Sequence, residues 1–340
     1  LCSACYAELS LNQKTPNVGG YYFRDEFNAA LRPYHWDVQM SGTQLVNHFA
    51  DLWCNVLKDK PVAWGGTNNP ADNKNGKPRK LGVIGTDDPD NKDMIQKNLK
   101  NALAACGSGY VAEYEYQQDI NTAATQKAAG VSAMNTNGAT DVLCLCDEVA
   151  PEFLYQEENQ ENYYPENLFA GTGFMDHDTS GRSYDTTLCP NNCHEYENAF
   201  GLSQIATEEH IGQDVAARVW KSAGYPGAPP TRYPHAITDW EYFNMMASMI
   251  QATGPNLTPT NMEQAAWKLP AIGGGTTGRA KRSFPRGQYA WGQDMRLVYW
   301  STTKVSSFDG KAGSYVQVDA VRHTVGTYAG MQFALPAKPR

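Results

Sequence analysis

The residues best suited to chemistry are carboxylates placed where an apolar run hands over to a helical one. In "KLGVIGTDDPDNKD" (80–93) the run through Leu81, Val83 and Ile84 ends in Asp87, Asp88 and Asp90. "DVLCLC" (141–146) leads into Asp147 and Glu148, and "NLFAGTG" (167–173) into Phe174 and Asp176. Carboxylates at such junctions either cap helix N-termini or line the mouth of a cleft, where they meet a cationic group. Capping is assigned to Asp90, and Asp87 and Asp88 are kept as cleft candidates. Asp147 and Glu148 are a conceivable hydrolytic pair, but neighbours on one loop point apart rather than across a substrate.

Two other constellations invite a cofactor. "CPNNCHEY" (189–196) places a His after two Cys, as c-type haem attachment does, but with three residues between the Cys instead of two. A disulfide loop beside a surface His is the simpler reading. In "DHDTSG" (176–181), Asp176, Asp178, Ser180 and Gly181 match positions one, three, five and six of an EF-hand loop. Thr187 then stands where the bidentate Glu is required, which leaves an Asx-rich turn. The seven His do not cluster at zinc-ligand spacing. No G-x-S-x-G elbow, P-loop or H-E-x-x-H motif is present. The expectation is therefore a binding protein with no cofactor and no enzymatic activity.

Composition sets the outer bounds. A chain of 340 residues with 41% apolar and 19% charged residues is globular and large enough for two domains. A formal charge of -8 argues against nucleic acid or an anionic membrane as the main partner. No apolar run reaches the roughly 20 residues needed to span a bilayer. Residues 1–5 carry no leader pattern and read as the interior of a longer chain. Eight Cys suit an oxidising compartment. Cys189–Cys193 is the expected short-loop bridge. Cys54 and Cys106, each late in a predicted helix, pair if those helices pack together. Cys144 and Cys146 share one strand face and read as buried thiols.

The elements that must position these groups alternate. A helix is predicted over 43–58, with Leu45, Val46, Phe49, Leu52, Trp53 and Val56 on one face. A strand follows at 80–85, a helix at 91–106, a strand at 110–116, a helix at 121–134, and a strand at 141–146. A helix at 150–160 and a strand at 167–173 complete the series. Four strand–helix units at this spacing predict a parallel sheet with its crevice at the strand C-termini. Helices are predicted over 208–223 (Val215, Val219 and Trp220 inward) and 238–253 (Trp240, Phe243, Met246 and Ile250 inward). A further short helix opens at the capping box "TNME" (260–263). The basic loop 273–287 is expected to be solvated, and 295–302 with 313–319 to form a hairpin.

The stretches "PYHWDVQMSGTQLVNHFADLW", "KLGVIGTDDPDNKD", "ATDVLCLCDEVAPE", "NLFAGTGFMDHD" and "HAITDWEYFNMMASMIQATG" resemble the type I periplasmic-binding fold of the branched-chain amino-acid receptors. Those receptors are the substrate-binding components of ABC importers. The resemblance implies an α/β two-lobed fold, with lobe two at 40–170 and 256–340 and a partial lobe one at 1–39 and 171–255. It implies an extracytoplasmic protein that binds a small polar ligand, an amino acid or amide, between its lobes and delivers it to a membrane permease. The ligand's ammonium group would be met by Asp176 or Glu148. The partners of its carboxylate would lie upstream of Leu1 or on another chain that completes lobe one. A scaffold role, with the cleft filled by Trp240 or Phe243, is the alternative. Alkylation without reduction tests the compartment: Cys189 and Cys193 should stay unlabelled, and labelling of all eight thiols would overturn the oxidised reading.

Overall fold

Seven strands form one sheet in the computed structural model of the chain, which describes residues 3–20, 22–66, 73–173, 175–187, 195–226, 235–274, 279–331 and 333–336. A separate parallel pair joins β1 (Asn17–Val18) to β2 (His35–Trp36). The large sheet contains β3 (Leu81–Thr86), β4 (Tyr110–Tyr116), β5 (Asp141–Leu145), β6 (Glu166–Phe169), β7 (Ala199–Ser203), β8 (Arg296–Val305) and β9 (Ala312–Gln317). Its order is β4-β3-β5-β6-β7-β8-β9. Strands β3 to β7 run parallel, while β8 and β9 are antiparallel additions at one edge. This is the expected α/β architecture of a mainly parallel sheet flanked by helices, closed by the expected hairpin.

The central strands β3, β5 and β7 are buried along their whole length because both sheet faces are covered there. Leu143 and Leu145 of β5 join a cluster with Leu45, Phe49, Trp53, Ile95 and Leu99 on one face. Val142 and Cys144 join Val131, Met134, Leu154 and Tyr155 on the other. Gly82 and Gly85 let the helices approach: a Cβ at Gly82 would strike Met134, and one at Gly85 would strike Ile95. A third cluster lies apart from the sheet and gathers Trp36, Val38, Met245, Met249, Met262, Phe284 and Trp291.

The structure departs from expectation in several places. The boundary drawn after residue 170 falls inside the large sheet, because β7 pairs with β6 and β8. There the backbones lie so close that a Cβ at Gly201 would strike Phe169. In the helix His235–Thr253 the inward face carries Met245 and Met249, while Phe243 is 73% exposed. The helix Val215–Ser222 buries Ala217 instead of Val219. Cys144 and Cys146 are joined in a disulfide. The strand ends at Leu145, and the turning backbone brings their Cα atoms to 5.1 Å, inside disulfide range. Cys54 and Cys106 are bridged as expected, closing a separation of 52 residues. Cys189 and Cys193 lie outside the described residues.

At the N-terminal edge of the sheet Arg79 is buried between Asp141 of β5 and Glu166 of β6, in contact with both carboxylates. Glu166 also accepts from the backbone N–H groups of Ala63 and Trp64, each at 2.7 Å. One guanidinium thus offsets two buried carboxylates and fastens the loop before β3 to the sheet. Removing it leaves both carboxyl groups buried without their cation, which costs about 3–5 kcal/mol. Arg79→Met should lose about that much stability in urea denaturation, and a loss under about 1 kcal/mol would show the triad to be dispensable.

Candidate ligand-binding site

At the C-terminal end of β7 the chain leaves the sheet and borders a cavity of about 300 Å³. Gln204–Glu209 form one wall and His177, after β6, adds to it. The opposite wall comes from Trp240, Glu241 and Asn244 of the helix His235–Thr253, with Arg282 and Trp291 from the third cluster and its adjoining loop. Gln39 enters from the segment after β2.

Several of these side chains are buried with polar atoms left over. Arg282 is 5% exposed and gives one nitrogen, Nη2, to Glu241 at 2.8 Å. Its Nε and Nη1 donate to nothing among the described residues, and neither does Nε1 of Trp291. The acceptor Oε1 of Gln39 is also unused. Gly292 makes room for this arrangement, since a Cβ there would lie 3.0 Å from Arg282 Nη1 and 3.2 Å from Gln204 Oε1. A buried N–H without a partner costs about 1–3 kcal/mol. These three donors lie on side chains that border the cavity but are closed off from it, so an acceptor such as an oxyanion meets them by displacing the groups that cover them.

The wall behind the cavity is ionic. His177 Nδ1 and Glu208 Oε1 lie 2.8 Å apart, and Glu208 Oε2 accepts from the Asp178 N–H at 2.9 Å. Burial alone would lower the His177 pKa, but the bond and charge of Glu208 outweigh it and raise it. Burial would raise Glu208, and His177 reverses that too. The two shifts agree on a charged pair.

The sequence candidates fall in different places. Asp87 and Asp88 follow β3, and neither borders the cavity. Asp88 is the helix N-cap, accepting from the Asp90 N–H at 3.0 Å and from Ser3 Oγ at 3.0 Å. Asp90 was the expected cap but is buried, held by Arg24 Nε at 2.7 Å. Glu148 follows β5, also away from the cavity, and its backbone carbonyl accepts from Tyr184. Phe174 lies outside the described residues. Asp176 is 1% exposed, next to the cavity-lining His177, and neither of its oxygens accepts a hydrogen bond among the described residues. Asp178 is occupied by Ser306 and the Tyr315 N–H, and no metal-holding group of His, Cys, Asp or Glu occurs among the described residues.

Sequence reasoning passed over Arg282, Trp291, Gln39, Glu241 and the His177–Glu208 pair. The loop of 273–287, read as solvated, in fact buries Arg282. The available signal was its aromatic surroundings in "RSFPRGQYAW" (282–291), since aromatic rings flanking an arginine mark a segment that packs.

No protein-family model matches the sequence, and no curated protein sequence matches it. Solved structures do. A branched-chain amino-acid ABC transporter protein from Thermus thermophilus with bound valine is 11% identical. It matches with a TM-score of 0.64 over 96% of this chain and 76% of that one. A solute-binding protein of an ABC transporter from Rhodopseudomonas palustris HaA2, in complex with p-hydroxybenzoic acid, gives 0.61 at 11% identity over 97% and 77%. A possible leucine/isoleucine/valine-binding protein from Rhodopirellula baltica SH 1 gives 0.57 at 12% identity over 91% and 72%. The fold is that of the type I periplasmic-binding proteins, as the sequence resemblance implied.

The ionic wall has a pH signature. A raised His177 pKa contributes stability that is complete below the ordinary value of 6.5 and is lost as pH climbs through the raised one. A lowered Glu208 pKa contributes stability that is complete above 4.5 and is lost as pH falls through the lowered one. The melting-temperature deficit of Glu208→Gln should therefore be largest near about pH 5.5 and shrink toward about pH 9. A deficit that is flat across this range would refute the charged pair.

Proposed function

We propose that the chain reversibly binds a small polar solute carrying a carboxylate, without covalent chemistry, in the cavity around Arg282. The observation that carries this reading is the set of three buried donors lacking acceptors, Arg282 Nε, Arg282 Nη1 and Trp291 Nε1. A carboxylate brings two oxygens to a guanidinium edge in a paired geometry that no single neutral group reproduces. Asp176, buried and adjacent in sequence to His177, with neither oxygen accepting a hydrogen bond among the described residues, is the proposed counter-charge for an ammonium group on the same solute, as in an amino acid. Asp87, Asp88 and Glu148 belong to the rim of the same sheet edge and are proposed at most to steer a charged solute inward.

The fold supports this reading. The matched proteins bound to valine and to p-hydroxybenzoic acid hold ligands that each carry a carboxyl group. The proposed lobes are the seven-stranded sheet with its helices and the body nucleated by Trp36, Met249 and Trp291, with the cavity between them. An extracytoplasmic setting, with delivery to a membrane permease, agrees with the Cys54–Cys106 bridge and with a match to an extracellular ligand-binding receptor from Rhodopseudomonas palustris. A scaffold role predicts a cleft filled by Trp240 or Phe243. Trp240 only borders the cavity, and Phe243 faces away from the core, so binding is the better reading.

Calorimetry with valine and with p-hydroxybenzoate tests it. Arg282→Gln should cost about 2–5 kcal/mol of affinity for the solute that binds, since one partner of a buried charge pair is removed. Asp88→Asn, at a screened rim position, should cost under about 1 kcal/mol. Solute binding unaltered by Arg282→Gln, or no heat from either solute, would overturn the proposal.

A further inference from the structure

A second concave site lies along the same sheet edge, at the ends of β4 and β5. There the chain reverses its direction of travel across the sheet, because β3 has β4 on one side and β5 on the other. Open parallel sheets form crevices at the C-terminal side of such a switch. The crevice has a volume of about 210 Å³. Its floor is Lys127, from the helix Ala123–Thr136, and Tyr116, the last residue of β4.

Lys127 is 2% exposed, and its ammonium nitrogen lies 2.9 Å from the centroid of the Tyr116 ring. That ring is fixed from behind: the Tyr116 hydroxyl donates to Asp147 Oδ2 at 2.7 Å and accepts from the Asp147 N–H at 2.9 Å. The π face is the partner of Lys127, which has no hydrogen-bond acceptor among the described residues. Asp147, which lines the same crevice and whose charge acts on Lys127, is already committed. Its Oδ1 accepts from the N–H groups of Val149 and Ala150, and its Oδ2 from Tyr116 and Gln118.

Three features then describe the missing occupant. The ammonium needs an oxygen acceptor, because a π face satisfies its charge but none of its N–H groups in the ordinary way. The 14-residue helix Ala123–Thr136 directs its N-terminus at the same space, and its N-cap Thr122 makes no side-chain capping bond. That end favours negative charge. The rim is mixed: Ile120, 65% exposed, Val149, 40% exposed, and Phe153 make one apolar side, and Gln117, Gln118 and Asp119, whose Oδ1 accepts from Asn121, make the other. We infer that this crevice is a second ligand site, separate from the Arg282 cavity, taking a small carboxylate with an aliphatic body. Its oxygens accept from Lys127, and its chain covers Ile120, Val149 and Phe153.

Burial holds the Lys127 pKa down to about 8, with the Asp147 charge acting against that fall. The ammonium therefore persists at neutral pH in a setting that disfavours it, and a bound carboxylate relieves that cost.

Hexanoate is the probe. Titrated calorimetrically into the intact chain, it should bind, and Lys311→Met, at an exposed position outside both sites, should leave that affinity within twofold. Lys127→Met keeps the aliphatic stem and removes the charge, and it should lower the affinity at least tenfold. A site-resolved measurement needs no variant: acetic anhydride labels lysines, and peptide mass spectrometry follows each one. Saturating hexanoate should slow acetylation of Lys127 at least threefold and leave that of the exposed Lys97 and Lys311 unchanged. The proposal is overturned if hexanoate does not bind at millimolar concentration, or if Lys127→Met binds it as the parent does. It is also overturned if Lys311→Met lowers the affinity as much as Lys127→Met, or if Lys127 labelling is indifferent to hexanoate.

Discussion

Arg322 is the node on which the ligand-facing part of the molecule depends. Its guanidinium donates to Asp294 Oδ1 and to three backbone carbonyls, those of Gln204, Ile205 and Asp294, at 2.9–3.1 Å. These acceptors come from the segment leaving β7 and the segment entering β8, with Arg322 itself arriving from beyond β9. Asp294 Oδ1 also accepts from the Lys281 N–H at 2.8 Å, one residue before Arg282. A planar fork with fixed donor directions tolerates little displacement of its acceptors. Three passes of the chain are thereby held in one register, and the cavity walls around Gln204 and Arg282 follow from that register. Burial lowers the Arg322 pKa against the pull of Asp294, yet arginine stays charged in proteins, so the clamp is permanent across physiological pH.

The molecule places its buried charge at both ends of the parallel strands, to different effect. At the N-terminal end Arg79 meets Asp141 and Glu166 and joins three pieces of chain. At the C-terminal end the arrangement is looser: Arg282 uses one nitrogen on Glu241, Asp176 accepts no hydrogen bond among the described residues, and Lys127 rests on a ring. Stability and binding make opposite demands on a buried polar group. A structural ion is worth keeping where its partners are built in, whereas a binding ion must hold some capacity in reserve.

How much of this was legible in the sequence depends on the range of the forces involved. Tyr110–Tyr116 and Ala150–Gln160 form where periodicity placed them, because a local alternation or amphipathic stripe decides them. The hairpin of β8 and β9 was equally readable. The burial of Arg282 was only hinted at: the aromatic residues near it mark a segment that packs, but they surround Arg286 equally, and the burial itself arises from isolated bridges to Ile272 and Gly292. Helix facing failed in His235–Thr253 for a related reason: with apolar residues all round, Phe243 and Met245 are equal candidates until Trp36 and Met262 select one face. The membership of β7 in the large sheet was hidden by the polar stretch before it, which reads as a change of domain.

The acidic junctions that draw the eye in the sequence illustrate a general asymmetry. Every strand-to-helix turn of a parallel sheet must satisfy free N–H groups at the start of the next helix, and Asp is among the cheapest ways to do so. Asp88 accepts from the Asp90 N–H, and Asp147 from Val149 and Ala150. An Asp there is accounted for before any ligand is considered, so it carries little information about function. A cation at the same end of the sheet has no such duty, since helix N-termini repel it. Arg282 and Lys127 are therefore the more telling residues, because each is buried and, among the described residues, Arg282 leaves Nε and Nη1 without acceptors and Lys127 has none.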